Sequence, residues 1–591
     1  MIPKTSLCLV AVVACLSVPA GPGFAQAPVP SYVVDSRALA SASTSELRTL
    51  VDRFTLDREA INRSWDTPYS PERAVRLKAF LAGWRTQLGQ MAFEKLSQDG
   101  KVDFLLLLNR IGREEARLAR DEKLLAETAP LLPFATRIIG LDDARRRMGS
   151  IDAKAAASSM AALAGEIART RKSIEDGLGA DAGPGRVRTS RVIGLRSAQM
   201  AVRLERALTE WFSYYNGYDP LFTWWAAQPF KKADDSLKAY AKFLRESVVG
   251  ARDGEADPIV GDPIGRDALR ADLAFEMIPY SPDELVAIGE REFAWCEAEM
   301  KKAARDMGFG DDWKAALEKV KTLHVEPGRQ SDLIRDQALE AIAFLEKRDL
   351  VTIPPLARDM WRIEMMSPAR QKVNPFFTGG EVISVSFPTD GMEHEDKLMS
   401  LRGNNIHFAR ATVHHELVPG HHLQGFMADR YNPHRQLFST PFYGEGWSLY
   451  WEMLLWDLGF PQSAENRVGM LFWRMHRAAR IIFSLKFHLG QMTPQECIDF
   501  LVDRVGHERA NATAEVRRSF NGSYPPLYQA AYMIGGLQLR ALSKELVGSG
   551  RLTWRQFHDA VLQANEMPIE MLRALLTRQP LTPAFGSSWK F

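Results

Sequence analysis

Residues 411–424 read ATVHHELVPGHHLQ, and they hold four of the twelve histidines in the 591-residue chain. Pro419 has no N–H to bond the carbonyl of His415, and its ring crowds that turn of a helix. Gly420 accepts backbone angles that other residues avoid. The sequence therefore predicts a helix that carries His415 and is bulged or broken at Pro419 and Gly420.

The break matters because His415 and His421 are six residues apart. On a regular helix this separation is about 240°, so the two imidazoles would point to different sides. In the motif HExxH, two histidines bind zinc from one helix face, and the glutamate after the first handles a water proton. A bulge returns His421 to the face of His415. The segment therefore indicates either a zinc site, in which both histidines bind one ion and Glu416 acts as the general base, or a histidine-rich buried helix without a metal.

A third ligand is expected from the segment 442–454, which reads FYGEGWSLYWEML. Zinc hydrolases often take a carboxylate ligand from a second helix, which leaves one coordination position open. Glu445 is at the start of an amphipathic helical pattern and is the predicted ligand. Glu452 lies two turns later on the same face, where it suits either a contact with a metal-binding histidine or a buried salt bridge.

Three tyrosines recur every fourth residue in the segment 523–536, SYPPLYQAAYMIGG. Tyr524, Tyr528 and Tyr532 therefore share one helix face. Such a stripe is usually part of a core, but a phenol near a metal can donate to the oxyanion that develops on a carbonyl. Gly535 and Gly536 would let the backbone approach a substrate.

Just upstream, residues 515–518 read EVRR. An arginine here could bind a substrate carboxylate with two hydrogen bonds. The alternative for Arg517 and Arg518 is a surface ion pair.

The segments HELVPGHHLQ, EGWSLYWE and QAAYMIGG occur in this order and resemble the bacterial family called domain of unknown function 885. That family is similar to helical zinc peptidases, namely thimet oligopeptidase-like enzymes and Taq-type carboxypeptidases. The resemblance implies a mainly α, multi-helical clamshell with a small β-sheet next to the active-site helix. It also implies that His415, His421 and Glu445 bind zinc and that Glu416 is the general base. Tyr532 is the first implied oxyanion donor, and Tyr528 is the second.

Helical periodicity dominates the rest of the chain. Long helical stretches are predicted at 73–96, 101–127, 151–178 and 191–214, and capping signals begin helices after Ser281, Thr493 and Thr553. Gly506 is a predicted helix stop. The clearest strand is EVISVSF at 381–387, where apolar and small polar residues alternate.

The N-terminus has the features of a signal peptide over residues 1–27. An apolar stretch at 7–18 precedes Ala25-Gln26-Ala27, which has the form of a cleavage site. The alternative is a lipobox, Val12-Val13-Ala14-Cys15, with a lipid anchor on Cys15. The mature chain is therefore expected in the periplasm or outside the cell, or anchored to a membrane as a lipoprotein. A Gly-, Asp- and Pro-containing stretch at 250–265 divides a helical region 28–260 from a catalytic region 261–591.

Composition excludes several classes of protein. The 75 lysines and arginines nearly balance 73 aspartates and glutamates, for a net charge of +2, so a nucleic-acid partner is not expected. Beyond the leader there is no apolar run long enough for a transmembrane helix. Cys296 and Cys497 are expected to be buried thiols, with a single disulfide as the alternative.

These patterns together predict an exported zinc-dependent metallohydrolase, most simply a peptidase that acts on short or unfolded peptides. One alternative is a zinc amidohydrolase that acts on other amides. The other is a non-catalytic envelope protein that binds peptides or cell-wall fragments. Glu416 favours an enzyme, because a pure binding protein has no need of that base.

Overall fold

A computed structural model describes residues 45–67, 69–178, 187–252, 257–371 and 376–591, together with residue 32. The predicted leader, its cleavage site and Cys15 lie outside these residues. The chain is mainly α, as predicted. No helix among the described residues has the length and apolar character needed to cross a bilayer. The helices are Arg48–Ser64, Pro71–Gly89, Gln98–Thr128, Ala135–Arg146, Ala153–Glu175, Arg191–Tyr215, Pro220–Phe243, Gly265–Phe275, Pro282–Asp306, Trp313–Lys321, Gln330–Lys347, Pro355–Asp359, Pro368–Gln371, His394–Gly403, Ile406–Glu416, His421–Ala428, Pro441–Asp457, Ala464–His488, Pro494–Phe500, Arg509–Phe520, Tyr528–Leu546, Trp554–Ala564 and Ile569–Leu576. Short 3₁₀ turns cover Phe93–Lys95 and Pro433–Phe438, and π-helical turns cover Leu244–Val249 and Leu501–Val505.

Local signals set several of these boundaries. All three predicted capping boxes are present, in the pairs Ser281–Glu284, Thr493–Glu496 and Thr553–Gln556. In each pair, the hydroxyl of the first residue accepts from the backbone N–H of the second, and the side chain of the second accepts from the backbone N–H of the first. Gly506 ends its helix with a φ of 86°. The prediction of one helix over 73–96 is wrong at its end. That helix stops at Gly89, and Ser97 caps a new helix by accepting from the N–H of Gly100.

The only sheet among the described residues has two parallel strands, Arg362–Met365 and Val382–Val385. The second strand lies within the predicted stretch 381–387. Ile383 and Val385 are buried against Val413 and Leu417. The sheet therefore packs beside the helix that carries His415, where the resemblance places it.

Two large hydrophobic cores organise the helices. The larger core joins buried side chains of residues 47–118 to those of residues 269–581. The second core lies within residues 131–248. The helices between 48 and 128 thus contribute to the same core as the C-terminal helices, and the division of the chain at residue 260 stays a prediction.

The cysteines of the main body are free. Cys296 and Cys497 are both buried, and neither forms a disulfide. Burial raises the pKa of each thiol to about 12. The expectation of two buried thiols is therefore confirmed, and the disulfide alternative is wrong.

A buried ionic cluster ties the helix Gln98–Thr128 to the turn Pro433–Phe438. Nε2 of His434 and Nε of Arg435 lie 2.9 Å and 2.7 Å from the two carboxylate oxygens of Asp103. All three side chains are 0% exposed. Arg435 also donates to Asp99, whose side chain is 44% exposed. The turn that leads into the helix Pro441–Asp457 is therefore held by a residue over 300 positions earlier.

We predict that Asp103→Ala lowers the free energy of unfolding by about 3–5 kcal/mol, because it leaves a buried guanidinium without its buried carboxylate. Asp99→Ala is the matched control, since it removes the exposed partner of the same Arg435 and should cost about 1 kcal/mol or less. Chemical and thermal unfolding measure both. Equal losses for the two variants would contradict this account.

Candidate metal centre and adjoining cavity

The predicted helix break is present. The helix Ile406–Glu416, called here the His415 helix, ends at Glu416, and a new helix starts at His421. Gly420 has a φ of −77°, so a left-handed backbone is not the reason for a glycine at this position. The reason is lack of space, because a Cβ on Gly420 would lie 1.7 Å from the carbonyl oxygen of His415.

The helix Pro441–Asp457, called here the glutamate helix, satisfies the backbone groups that the break leaves free. The hydroxyl of Ser448 donates to the carbonyl of His415 at 3.0 Å, which is the carbonyl that Pro419 cannot bond. The indole N–H of Trp447 donates to the carbonyl of Pro419 at 2.8 Å. The break is therefore a supported part of the fold, because its carbonyls keep hydrogen-bond partners.

The structure brings His415, His421 and Glu445 together. One ligand atom from each lies within 4.8 Å of the other two. Oε2 of Glu445 is 3.2 Å from Nε2 of His421 and 3.6 Å from Nε2 of His415. The predicted metal ligands thus form one cluster, and two of them come from opposite sides of the helix break.

Glu452 orients the imidazole of His415 through the ring nitrogen that does not face Glu445. Nδ1 of His415 lies 2.6 Å from Oε1 of Glu452, and a carboxylate can only accept, so Nδ1 donates and Nε2 faces Glu445. Nη2 of Arg477 is 3.6 Å from the same oxygen. Glu452 therefore contacts both His415 and Arg477. Burial disfavours the charged imidazole, but the hydrogen bonds to Glu445 and Glu452 outweigh it and raise the pKa of His415 to about 9.

The neighbouring histidines are not part of the cluster. A ring nitrogen of His414 lies 2.8 Å from the carbonyl oxygen of Arg410, and one of His422 lies 2.7 Å from that of Ala357. Burial lowers the pKa of His414 to about 4. These two imidazoles are neutral packing groups held by backbone carbonyls.

Glu416 lies half-buried at the side of the cluster and lines an adjoining cavity. Burial raises the pKa of its carboxyl above the ordinary value. The backbone of Gly379 passes directly over it, since a Cβ there would lie 2.3 Å from Oε2 of Glu416. The carboxylate is thus confined between the His415 helix and the segment that precedes the strand Val382–Val385.

Two tyrosines of the helix Tyr528–Leu546, called here the tyrosine helix, reach the cluster in different ways. The hydroxyl of Tyr528 donates to Oε1 of Glu445. The ring of Tyr532 lies 6.2 Å from that of His415, and its side chain lines the cavity. Burial raises the pKa of both phenols, so both carry their protons at neutral pH.

Gly535 does not approach the cavity, and that expectation is wrong. A Cβ on Gly535 would lie 1.9 Å from the carbonyl oxygen of Phe442, and one on Gly446 would lie 2.7 Å from the Gly535 backbone. The two glycines therefore let the tyrosine helix and the glutamate helix cross in close contact. This contact fixes the distance between the tyrosines and Glu445.

Three arginines line the same cavity: Arg477 and Arg480 from the helix Ala464–His488, and Arg518. Nε of Arg480 and Nε of Arg518 each donate to Glu515 at 2.6 Å. Arg517 instead donates to the backbone carbonyl of Asp257 at the surface. Of the two predicted arginines, only Arg518 therefore reaches the site.

Sequence reasoning missed Arg477 and Arg480. Their signal is a set of three arginines at intervals of three in the segment RMHRAAR at 474–480. Charged side chains within a buried helix require partners, so this pattern indicates an internal polar site. Here that site is the cavity wall.

The cavity has a volume of about 300 Å³. One end is formed by the His415, His421 and Glu445 cluster with Glu416. The other walls are the tyrosines, the arginines and the segment Phe376–Gly379. A converging set of imidazoles and carboxylates thus opens onto a space that is large enough for one or two amino-acid residues.

A family model described as a bacterial protein of unknown function, DUF885, matches residues 53–576. The chain belongs to this family. The match covers every site residue described above and confirms the resemblance seen in the sequence. No curated protein matches the chain.

Solved structures similar to this DUF885 protein show the same fold. A protein of unknown function from Shewanella oneidensis, provisionally described as a lipoprotein, has a TM-score of 0.65 at 17% identity, over 91% of this chain and 100% of its own. One from Colwellia psychrerythraea, also provisionally described as a lipoprotein, has a TM-score of 0.56 at 15% identity, over 90% and 97%.

We predict that Gly420→Ala lowers the free energy of unfolding by about 1–3 kcal/mol or more, because the new methyl group has no room beside the His415 carbonyl. Gly425→Ala is the matched control on the next helix. A Cβ there meets nothing within 4 Å, so this variant should be stabilised by about 0.5–1 kcal/mol. Thermal unfolding compares them. A Gly420→Ala protein as stable as the parent would refute the steric argument.

Proposed function

We propose that this protein is a zinc-dependent metallohydrolase, and most directly a peptidase. The observation that carries the proposal is the convergence of two imidazoles and one carboxylate beside a confined glutamate, at the end of a cavity. A binding protein has no use for Glu416 in that position, whereas hydrolysis requires a base there.

The donor atoms fit zinc. Two nitrogens and one oxygen at about 2.0–2.2 Å from a tetrahedral ion lie about 3.4 Å from one another. The distances of 3.2 Å and 3.6 Å from Glu445 to the two histidines are close to this value. When bound, zinc supplies a Lewis acid for the hydrolysis of an amide. His415, His421 and Glu445 would hold it, and Glu452 would keep Nδ1 of His415 protonated.

The protein side chains then perform the proton transfers. Glu416 removes a proton from the attacking water and delivers it to the nitrogen of the leaving amine. Burial raises the pKa of this carboxyl above its ordinary value, which favours proton acceptance. Tyr532 donates a hydrogen bond to the carbonyl oxygen as that oxygen gains negative charge. Tyr528 holds Glu445 in place through its hydroxyl.

The size of the cavity favours short or unfolded peptides, because a space of about 300 Å³ cannot take a folded protein surface. Hydrolysis of other amides remains the alternative reaction, and non-catalytic binding of peptides or cell-wall fragments remains the alternative function. The relatives provisionally described as lipoproteins support an exported protein with a lipid anchor. The secreted form is the other proposal for its location.

We predict one zinc ion per chain. His421→Ala and Glu445→Gln should each abolish stoichiometric binding, because either change leaves only two protein ligands. His422→Asn is the matched control, since that imidazole lies next to His421 in sequence but faces a backbone carbonyl. Elemental analysis after dialysis against zinc gives the result. Loss of zinc in the control with retention in the ligand variants would overturn the assignment.

Glu416→Gln should reduce peptide hydrolysis by about 10²–10⁴-fold and leave zinc bound, because it removes the base and no ligand. Cleavage of a mixed peptide library, followed by mass spectrometry, measures the rate. Glu395→Gln, which changes an exposed glutamate, serves as the control. A Glu416→Gln protein that retains full activity would rule out this mechanism.

Tyr532→Phe should lower kcat by about 10²–10³-fold with zinc retained, because one donor to the oxyanion is lost while the ring stays. Tyr528→Phe should instead weaken zinc binding by about 10–100-fold, because Glu445 loses its hydrogen bond. Steady-state kinetics and zinc titration separate the two effects. If the effects are exchanged, the roles of the two tyrosines are exchanged as well.

A further inference from the structure

The arginine wall of the cavity, formed by Arg477, Arg480 and Arg518, has more donors than its protein partners can use. The side chain of Arg480 is 2% exposed. Its Nη1 atom is buried and has no hydrogen-bond partner among the described residues. A buried guanidinium nitrogen without an acceptor is costly. Arg518 is a more accessible member of the wall, with 20% of its side chain exposed, so it can meet an acceptor that arrives from the cavity.

The charges of the wall are also unbalanced. Glu515 is the single carboxylate that accepts from both Arg480 and Arg518. Arg477 lies 3.6 Å from Glu452, but that carboxylate is already hydrogen-bonded to His415. Two glutamates, one of them shared with His415, thus serve the three arginines of the wall. An anion in the cavity would restore the balance, and the fork of a guanidinium matches a carboxylate.

The position of the wall relative to the metal cluster limits the size of the ligand. The ring of Tyr532 separates the two: it lies 6.2 Å from the His415 ring on one side and 4.4 Å from the Arg480 guanidinium carbon. One extended residue spans about 3.3–3.6 Å. A metal–ligand bond of about 2.1 Å and a hydrogen bond of about 2.8 Å take up part of the span from the His415 ring to the Arg480 guanidinium. A carboxylate at the wall therefore lies about one or two residues beyond a carbonyl at the cluster. Because Arg480 is buried, a peptide chain cannot continue through the wall there.

We propose that the arginine wall binds the free C-terminal carboxylate of a peptide, so that the protein removes one or two residues at a time from C-termini. This specificity rests on the proposed hydrolase function. The carboxylate site itself is a property of Arg480 and Arg518 and can be tested by binding alone.

The binding test uses the zinc-loaded Glu416→Gln variant, which keeps the site but should not turn over peptide. Isothermal titration compares acetyl-trialanine as the free acid with its C-terminal amide. The free acid should bind about 10–100-fold more tightly, because only the acid offers a charged acceptor to the arginines. Equal affinity for the acid and the amide overturns the proposal.

Variants of the wall locate the effect. Arg518→Gln, made in the same background, should remove about 10-fold or more of the affinity for the acid and leave the amide unchanged. Arg517→Gln is the matched control, since the adjacent arginine faces the surface, and it should change neither. Arg480→Lys keeps the charge opposite Glu515 but loses the fork, and thermal unfolding verifies that it folds. A loss for acid and amide alike in Arg518→Gln counts against the site.

Turnover by the wild-type protein separates this inference from the proposed function. Cleavage of the free acid with little cleavage of the amide supports both. Cleavage of both at similar rates keeps the hydrolase and overturns the carboxylate site. If neither is cleaved but the acid still binds selectively, the carboxylate site stands and the peptidase does not.

Discussion

Burial of two carboxylates on the glutamate helix is the constraint around which the site is arranged. Glu445 and Glu452 are both almost inaccessible to solvent, on a helix whose other side chains are mostly apolar and packed. A buried carboxylate without partners costs several kcal/mol. Donors must therefore converge on each, and they come from four other elements: the His415 helix, the helix that starts at His421, the tyrosine helix and the helix that carries Arg477.

The same helix also shapes the backbone of the cluster. Ser448 and Trp447 lie between the two glutamates in sequence and donate to the carbonyls at the break. Side-chain placement and backbone placement thus depend on one rigid element. A shift of this helix would move Glu445 and release the break at once, which explains why its contact with the tyrosine helix is as close as two glycines permit.

The parts of the site that the sequence predicted are those with a local cause. Pro419 and Gly420 break the helix because of their own covalent geometry, and the spacing of His415 and His421 makes sense only with that break. Arg477 and Arg480 were missed for a physical reason. Nearly every face of their helix is buried, so periodicity gives no sign of which side meets the cavity. Gly535 was misassigned because its spacing from Tyr532 does not reveal which neighbouring helix it meets.

The helix Gln98–Thr128 has a consequence for the order in which the protein is made. Its partners lie far along the chain: Asp103 pairs with residues more than 300 positions later, and Gln98 donates to the carbonyl of Ala574, 476 residues further. At about 5–20 residues per second, a ribosome needs about 25–95 s to supply that partner. During this time the side chains of the helix that pack against residues beyond 269 lack those partners. The larger core therefore closes only after synthesis is almost complete.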